Sequence, residues 1–183
     1  MGEILPPKPV KLFIGMLSPD AALFDACADM VSSAYGPIDY QSRIIPWAYS
    51  DYYSAEMGDG ILRKFIFFER LIDPAELSSV KNNTNRIEQG FARHTGERQQ
   101  RRINLDPGYV SEAKVVLATT KDYAHRIYLN HGIYAEVTLR YAHHHRSFTP
   151  FDYTYPDYSS ETYTSMFNAA RDLLKTLLKS TRE

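Results

Sequence analysis

A chain of 183 residues, 44% hydrophobic and 23% charged, is sized for one domain spanning residues 1–183 and is too short for two ordinary ones. Its net charge of −1 excludes global steering towards nucleic acid or an anionic membrane, so any anion must be held by a local cluster. The single cysteine, Cys27, excludes an internal disulfide and suits a reducing compartment, with the cytoplasm as the expected location.

The lead-in MGEILPPKPVKLFIGMLSP has no long apolar run behind basic residues and reads as neither signal nor transit peptide. No stretch approaches the roughly 18 apolar residues that a membrane span requires, so no membrane partner is expected. Val10 to Leu17 reads as a central strand in which Gly15 allows close backbone approach. Ser18-Pro19-Asp20 is a helix start. Leu23, Phe24, Cys27, Met30, Val31, Ala34 and Tyr35 follow at helical spacing, and Gly36-Pro37 stops the helix. Cys27 is then a buried small hydrophobe and not a nucleophile.

Ile38 to Ile45 alternates apolar and polar residues as a half-exposed strand does. Pro46 to Gly60 is a long irregular connection, too rich in Tyr and acids for burial. Arg63 to Ile72, apolar on both faces, is a second central strand. Asp73-Pro74-Ala75-Glu76 has the pattern of a capping box, and Leu77, Val80, Thr84, Ile87 and Phe91 mark one face of the next helix. Arg101 to Leu105 reads as a short strand and Asp106-Pro107-Gly108 as a turn. Val110, Ala113, Val116 and Leu117 fit a short helix, with a strand as the alternative over 110–119. A hairpin follows, from His125 to Leu129 through Asn130-His131-Gly132 to Ile133–Tyr141. An aromatic, Pro-broken tail leads to a last amphipathic helix carried by Tyr163, Met166, Phe167, Ala170, Leu173, Leu174, Leu177 and Leu178.

This order predicts an α+β fold: a ferredoxin-like βαββαβ core extended by a short helix, a C-terminal β-hairpin and a terminal amphipathic helix. A flavodoxin-like α/β parallel sheet is the alternative. Helices are expected on one sheet face, leaving the other for the hairpin, the tail or a ligand.

The candidate chemistry gathers between Asp106 and Glu136. With a three-residue hairpin loop, Leu129 faces Ile133, Ile127 faces Ala135, and His125 faces Val137 on the apolar side. Arg126 then lies opposite Glu136 on a polar face, where the pair would grip a ligand or form a plain cross-strand bridge. Lys121, with Thr119 and Thr120 beside it and Asp122 after it, suits a phosphate or carboxylate, with Asp106 and Lys114 nearby. Asp51, Tyr53 and Glu56 in the long loop could fold over the ligand as a cover. Arg101 and Arg102 point to opposite faces of a strand, so at most one joins a given site. His143-His144-His145 points alternately on an extended chain and lacks Cys partners, so no metal site is expected there. No motif names a cofactor or a catalytic residue, and whether the protein is an enzyme is left open.

Several segments carry a resemblance. They are Pro9–Leu17, Asp51-Tyr52-Tyr53 with Glu56-Met57-Gly58, Lys64–Pro74, Arg102–Tyr109, Thr120-Lys121-Asp122, His125–Leu129, Gly132–Leu139 and Thr154–Tyr158. Together they resemble a bacterial and archaeal family of unknown function whose members are often labelled "GTP-binding protein". The resemblance covers nearly the whole chain and implies nucleotide binding. It brings no established catalytic residues, and His143–His145 lie outside its pattern. Thr120-Lys121-Asp122 is similar to part of the guanine-reading Asn/Thr-Lys-x-Asp element of GTPases but lacks the intervening residue. No GxxxxGK[ST] phosphate loop is present.

The leading expectation is therefore a small anionic ligand, a nucleotide or phosphorylated metabolite, held by Lys121, His125, Arg126 and Glu136. A second is a non-catalytic interaction module or homodimer using Tyr52, Tyr53, Tyr153, Tyr155 and Tyr158. RNA binding comes third, disfavoured by the neutral charge and the absence of a basic stripe.

Overall fold

The computed structural model describes residues 2–50, 53–95 and 98–180. Strand β1 (Val10–Ser18) is buried at all nine positions, as a strand covered on both faces must be. The Ser18 hydroxyl and the Asp20 carboxylate accept the N–H groups of Asp20 and Ala22, which opens helix α1 (Ala22–Tyr35). Gly36, at φ 97°, closes it by donating its N–H to Ser32 O. The alternating segment that follows breaks into two short strands, β2 (Ile38–Gln41) and β3 (Ile45–Pro46). Both pair with β4 (Leu62–Ile72), after the connecting loop has formed the single turn α2 (Ser54–Met57).

That loop is not wholly surface. Trp47 and Met57 are buried with Leu17 and Ile61, because the apolar groups outweigh the polar ones between them. The expected capping box is present: Asp73 accepts the Ala75 N–H at 2.8 Å while Glu76 accepts that of Asp73 at 3.0 Å, ahead of α3 (Leu77–Phe91). A hairpin of β5 (Arg93–Thr95) and β6 (Arg98–Gln100) then leads to β7 (Asn104–Val110).

Here the expected turn and short helix are overturned. β7 runs straight through Asp106-Pro107-Gly108, and residues 114–119 form strand β8 (Lys114–Thr119). The reversal sits instead at Ser111, whose hydroxyl accepts the N–H groups of Ala113 and Lys114. The ambiguous Val115-Val116-Leu117 is a short β-branched run buried on both sides, and burial resolves it as strand.

The last strands are β9 (Ile127–Asn130), β10 (Ile133–Ala142) and β11 (Ser147–Pro150), and α4 (Glu161–Ser180) ends the described chain. The sheet order is β11-β10-β8-β7-β1-β4-β2, with β9 on the outer edge of β10 and β3 beside β4. Every pairing among the described residues is antiparallel, which rules out the flavodoxin-like parallel sheet. The fold is α+β, with a larger sheet than a four-stranded core. No helix among the described residues is long and apolar enough to cross a membrane.

Alternation along β1 divides the core. Leu12, Ile14 and Met16 point to one face, packed against α1 and α3. Phe13, with Phe65 and Phe67 beside it, points to the other face and meets Phe167 and Tyr163 of α4. The second face is thus covered by the terminal helix, and the hairpin extends the sheet edge instead of lying over it.

Candidate functional site

A cavity opens where two neighbouring strands part. β7 and β8 pair only from Gly108–Leu117 to Val110–Val115, although β7 continues back to Asn104 along β1. The backbone of Leu105 would otherwise face an empty gap. Side chains from α3 fill it: Lys81 Nζ donates to Leu105 O at 2.7 Å, and Glu88 Oε1 accepts the Leu105 N–H at 2.7 Å. An ammonium and a carboxylate therefore stand in for the missing strand partner. Alternation aims the Pro107 nitrogen into the same gap, and proline has no N–H there to leave unsatisfied.

The second face of the sheet supplies the floor. Partners across antiparallel ladders share a face. Leu17 therefore aligns with Arg63 and Asn104, Gly15 with Phe65 and Asp106, and Leu117 with Gly108 and Glu136. Arg63 is 3% exposed, and its Nη2 donates to Asp157 Oδ2 at 3.1 Å while Nη1 lies 3.5 Å from Asp106 Oδ2. Gly15 is needed beneath it, since a Cβ there would stand 2.9 Å from Arg63 Nη1 and from the Phe65 ring. Asp157 also accepts the Trp47 indole N–H at 3.0 Å, tying the tail between β11 and α4 to the floor. Asp106 accepts from Asn104 at 2.7 Å and has Lys81 at 3.7 Å.

The far wall comes from the loop between β8 and β9. Glu136 is 3% exposed and accepts from Arg126 Nε at 2.8 Å, with His125 Nε2 at 3.3 Å and the Thr138 hydroxyl also at 3.3 Å. Arg126 further donates to Lys121 O and the Tyr155 hydroxyl, with the Tyr123 ring 4.5 Å from its guanidinium carbon. His125 stacks on Tyr153 at 4.3 Å.

This corrects the assumed hairpin. The loop is the two-residue turn His131-Gly132, at φ 50° and 77°, and a bulge at Leu129 restores the expected pairing of Ile127 with Ala135. β9 stops at Ile127, so alternation no longer separates His125 from Arg126, and both turn onto Glu136. Glu136 also lies beneath the tail and not on an open polar face: Thr154 donates to Thr138 O beside it.

The cavity has a volume of about 390 Å³. Among the described residues five cations (Arg63, Lys81, Arg101, Lys121, Arg126) and four carboxylates (Glu88, Asp106, Glu136, Asp157) line it, with Trp47, Tyr53, Tyr123, Tyr155 and Tyr158 between them. Of the residues singled out in the sequence, Tyr53, Asp106, Thr119, Thr120, Lys121, Arg126, Glu136, Tyr155 and Tyr158 line this cavity. His125 backs it through Glu136, and Glu56 lies in an adjoining lobe, 3.3 Å from Arg101. Arg101 takes part while Arg102 turns away to Asp20 at 2.9 Å. Lys114 does not belong: it is exposed at the other end of β8, opposite Arg140. Asp122 is exposed, lies beside Tyr134 and is not among the residues that line the cavity. Asp51 and Tyr52 lie outside the described residues. Of the tail tyrosines offered as an interaction surface, Tyr153 and Tyr155 are exposed, whereas Tyr158, 3% exposed, is buried and cannot belong to it. His143–His145 form an exposed turn before β11, and no group of three or more His, Cys, Asp or Glu among the described residues could hold a metal.

Arg63, Lys81, Glu88 and Asp157 are the charged lining residues that sequence reasoning missed. Two of them carried a signal. Lys81 and Glu88 fall on the apolar stripe of α3 with Leu77, Val80, Thr84 and Ile87, where a charge needs a buried partner.

A family model covers residues 8–173. The chain belongs to the domain-of-unknown-function family DUF4416. No curated protein and no solved structure matches the chain. Membership of DUF4416 thus agrees with the resemblance seen in the sequence, and the chemistry must be argued from the cavity itself.

Electrostatics at the site are set by burial. Glu88 is pushed above the usual carboxylate range by burial, against the pull of Lys81, the Leu105 N–H and Arg101. For Arg63, burial alone would lower the pKa, but Tyr158, Tyr163, Asp157 and Asp106 outweigh it and the guanidinium stays charged. A raised carboxyl pKa favours the folded state fully below the ordinary value, and that contribution is lost as pH rises through the folded value. Glu88→Gln should therefore gain stability relative to the parent as the buffer moves from acidic to neutral, read from urea midpoints. Glu88→Ala, which orphans the Leu105 N–H, should lose about 1–3 kcal/mol at every pH. A Gln variant with an unchanged pH profile would contradict this account.

Proposed function

We propose that this DUF4416 chain binds a small anionic ligand, a mononucleotide or a phosphorylated metabolite, in the cavity between β7, β8 and the tail. One observation carries the reading: a protein of net charge −1 gathers, among its described residues, five cationic side chains around one cavity against four carboxylates. The carboxylates are already engaged by hydrogen bonds, Glu88 by Leu105, Asp106 by Asn104, Glu136 by Arg126 and Asp157 by Trp47 and Arg63. Ligand pockets usually run from about 300 to 1,000 Å³, so a cavity of about 390 Å³ suits one phosphorylated small molecule and not a dinucleotide. Tyr123 and Tyr155, 53% and 47% exposed, stand at the rim, where an aromatic or ribosyl group would rest. Asp122 does not line the cavity, so recognition of guanine through the Thr120-Lys121-Asp122 triplet gains no support. A buried lone thiol at Cys27 fits a reducing compartment such as the cytoplasm.

The strand order β7-β1-β4-β2 also supports a ferredoxin-like reading of the core. Counted as four strands it runs 4-1-3-2, with β8, β10 and β11 added at the β7 edge.

Thermal shift with inorganic phosphate, ribose 5-phosphate, GMP and GTP tests the ligand. At least one should raise the melting temperature, and Lys121→Ala should remove the shift while leaving the apo melting temperature unchanged. Arg126 must be changed together with its buried partner, as Arg126→Ala/Glu136→Gln, because the single change strands a buried carboxylate. No shift with any phosphate compound overturns the proposal.

A second reading rests on β9. This outer edge strand exposes Ile127 at 71%, Tyr128 at 56% and Leu129 at 39% and carries no charge. Natural edge strands are usually guarded by charge or proline, so an unguarded one supports pairing with a second copy. Light scattering should then give a dimer that Leu129→Lys dissociates; a monomeric parent would remove this reading.

A further inference from the structure

The anion cavity does not end at its own walls. Asn85, Glu88, Arg101 and Thr120 line it on one side and line a second lobe of about 280 Å³ on the other. Arg101 forms the waist, 3.3 Å from Glu56 and 3.8 Å from Glu88. The two lobes thus share a wall of four side chains and lie end to end.

Their chemistry differs. The first lobe carries the cations and the aromatic rings. The second is lined by Asn85, Gln89, Thr120, Glu56 and Glu88 around Arg101, with no aromatic and no lysine among the described residues. Asn85 and Gln89 are four residues apart on α3, so their amides stand on one helix face, with Glu88 between them. Amides donate and accept, a hydroxyl does both, and a carboxylate accepts only. Such a set pairs with groups that are at once donor and acceptor, which is to say hydroxyls. A second phosphate would face two carboxylates there and be repelled.

We propose that the second lobe is a polyol subsite. It takes the hydroxylated part of a sugar phosphate whose phosphoryl group sits in the first lobe near Lys121. The two carboxylates accept from ring or chain hydroxyls, and Asn85 and Gln89 complete the hydrogen bonds. This rests on the anion-binding reading above and narrows it from phosphorylated compounds in general to phosphorylated polyols. A purely aromatic or acyl phosphate brings no hydroxyl to the second lobe.

The test separates the two claims. Binding of inorganic phosphate, ribose 5-phosphate and glucose 6-phosphate is measured by calorimetry on the parent chain and on Glu56→Gln, Gln89→Ala and the double variant, because Glu56 and Gln89 line the second lobe and not the first. Gln89 is exposed, lines the second lobe only, and can be changed without touching the first. One sugar phosphate should bind the parent at least about tenfold more tightly than inorganic phosphate, as about one well-made hydrogen bond to a charged group supplies. The double variant should bring that ratio close to one while inorganic phosphate binds as before. Equal affinity for phosphate and both sugar phosphates in the parent overturns the polyol subsite and leaves anion binding standing. A ratio that survives the double variant overturns it too. Absence of any binding overturns the anion reading and this one with it.

Discussion

Replacing Arg63 by Met should cost about 3–5 kcal/mol of folding free energy, the loss typical of removing one partner from a buried ion pair. Arg63 and Asp157 have side chains 3% and 5% exposed, so water cannot take over the role of the missing guanidinium. Asp157 would keep the Trp47 indole N–H and the Tyr158 N–H but, among the described residues, no ion-pair partner. A single domain has only about 5–15 kcal/mol in total, so roughly a fifth or more of the margin is at stake. The reciprocal change is milder. In Asp157→Asn, Arg63 keeps Asp106 at 3.5 Å, and the amide oxygen still accepts. The double variant Arg63→Met/Asp157→Asn should therefore be more stable than Arg63→Met alone, since it removes the stranded charge. Urea unfolding of the three variants gives the comparison directly. A loss below about 1 kcal/mol in Arg63→Met would place this ion pair with the weak surface bridges and overturn its role as the floor of the cavity.

How far the sequence reached depends on whether a residue acts through its own element or through a distant one. β1, β4, α1 and α3 follow from hydrophobic spacing, and the Asp73–Glu76 box from a pattern three residues long. Those signals are local, and tertiary packing only reinforces them. β7 was misread because Asp106-Pro107-Gly108 has the composition of a turn, yet each residue is there for a reason set by another strand. Pro107 presents no N–H to the gap where β8 has parted from β7, and Gly108 has no Cβ where Phe13 and Val116 leave no room. His125 was placed on the wrong side by carrying strand alternation past Ile127, where the strand ends. The cavity combined part of the Asp106–Glu136 stretch with Arg63 and Asp157, which are 94 residues apart in the chain. No periodicity links those two. Lys81 and Glu88 were the legible exception, as charges on an apolar helical stripe.

The cavity and the stability of the sheet meet at one residue. Gly108→Ala should destabilise the chain by about 3 kcal/mol or more, at or beyond the upper end for overpacking a core. A Cβ at this position would stand 2.4 Å from Val116 O and 2.5 Å from Phe13 Cζ. Neither neighbour can give way cheaply. Val116 O belongs to the β7–β8 ladder, where only three residue pairs hold the two strands together. Phe13 is wedged among Phe65, Phe67 and Phe167, with ring centroids 5.0–6.3 Å away. The easier path is for β8 to move outward, and β8 leads directly into Thr119, Thr120 and Lys121 on the cavity wall. Phosphate affinity should therefore fall together with stability, although Gly108 is not a lining residue. Gly90→Ala is the control: no atom lies within 4 Å of its added Cβ, and the helical site should gain about 0.5–1 kcal/mol. If Gly108→Ala unfolds at the parent's urea midpoint, the close approach of β7 to Phe13 is wrong.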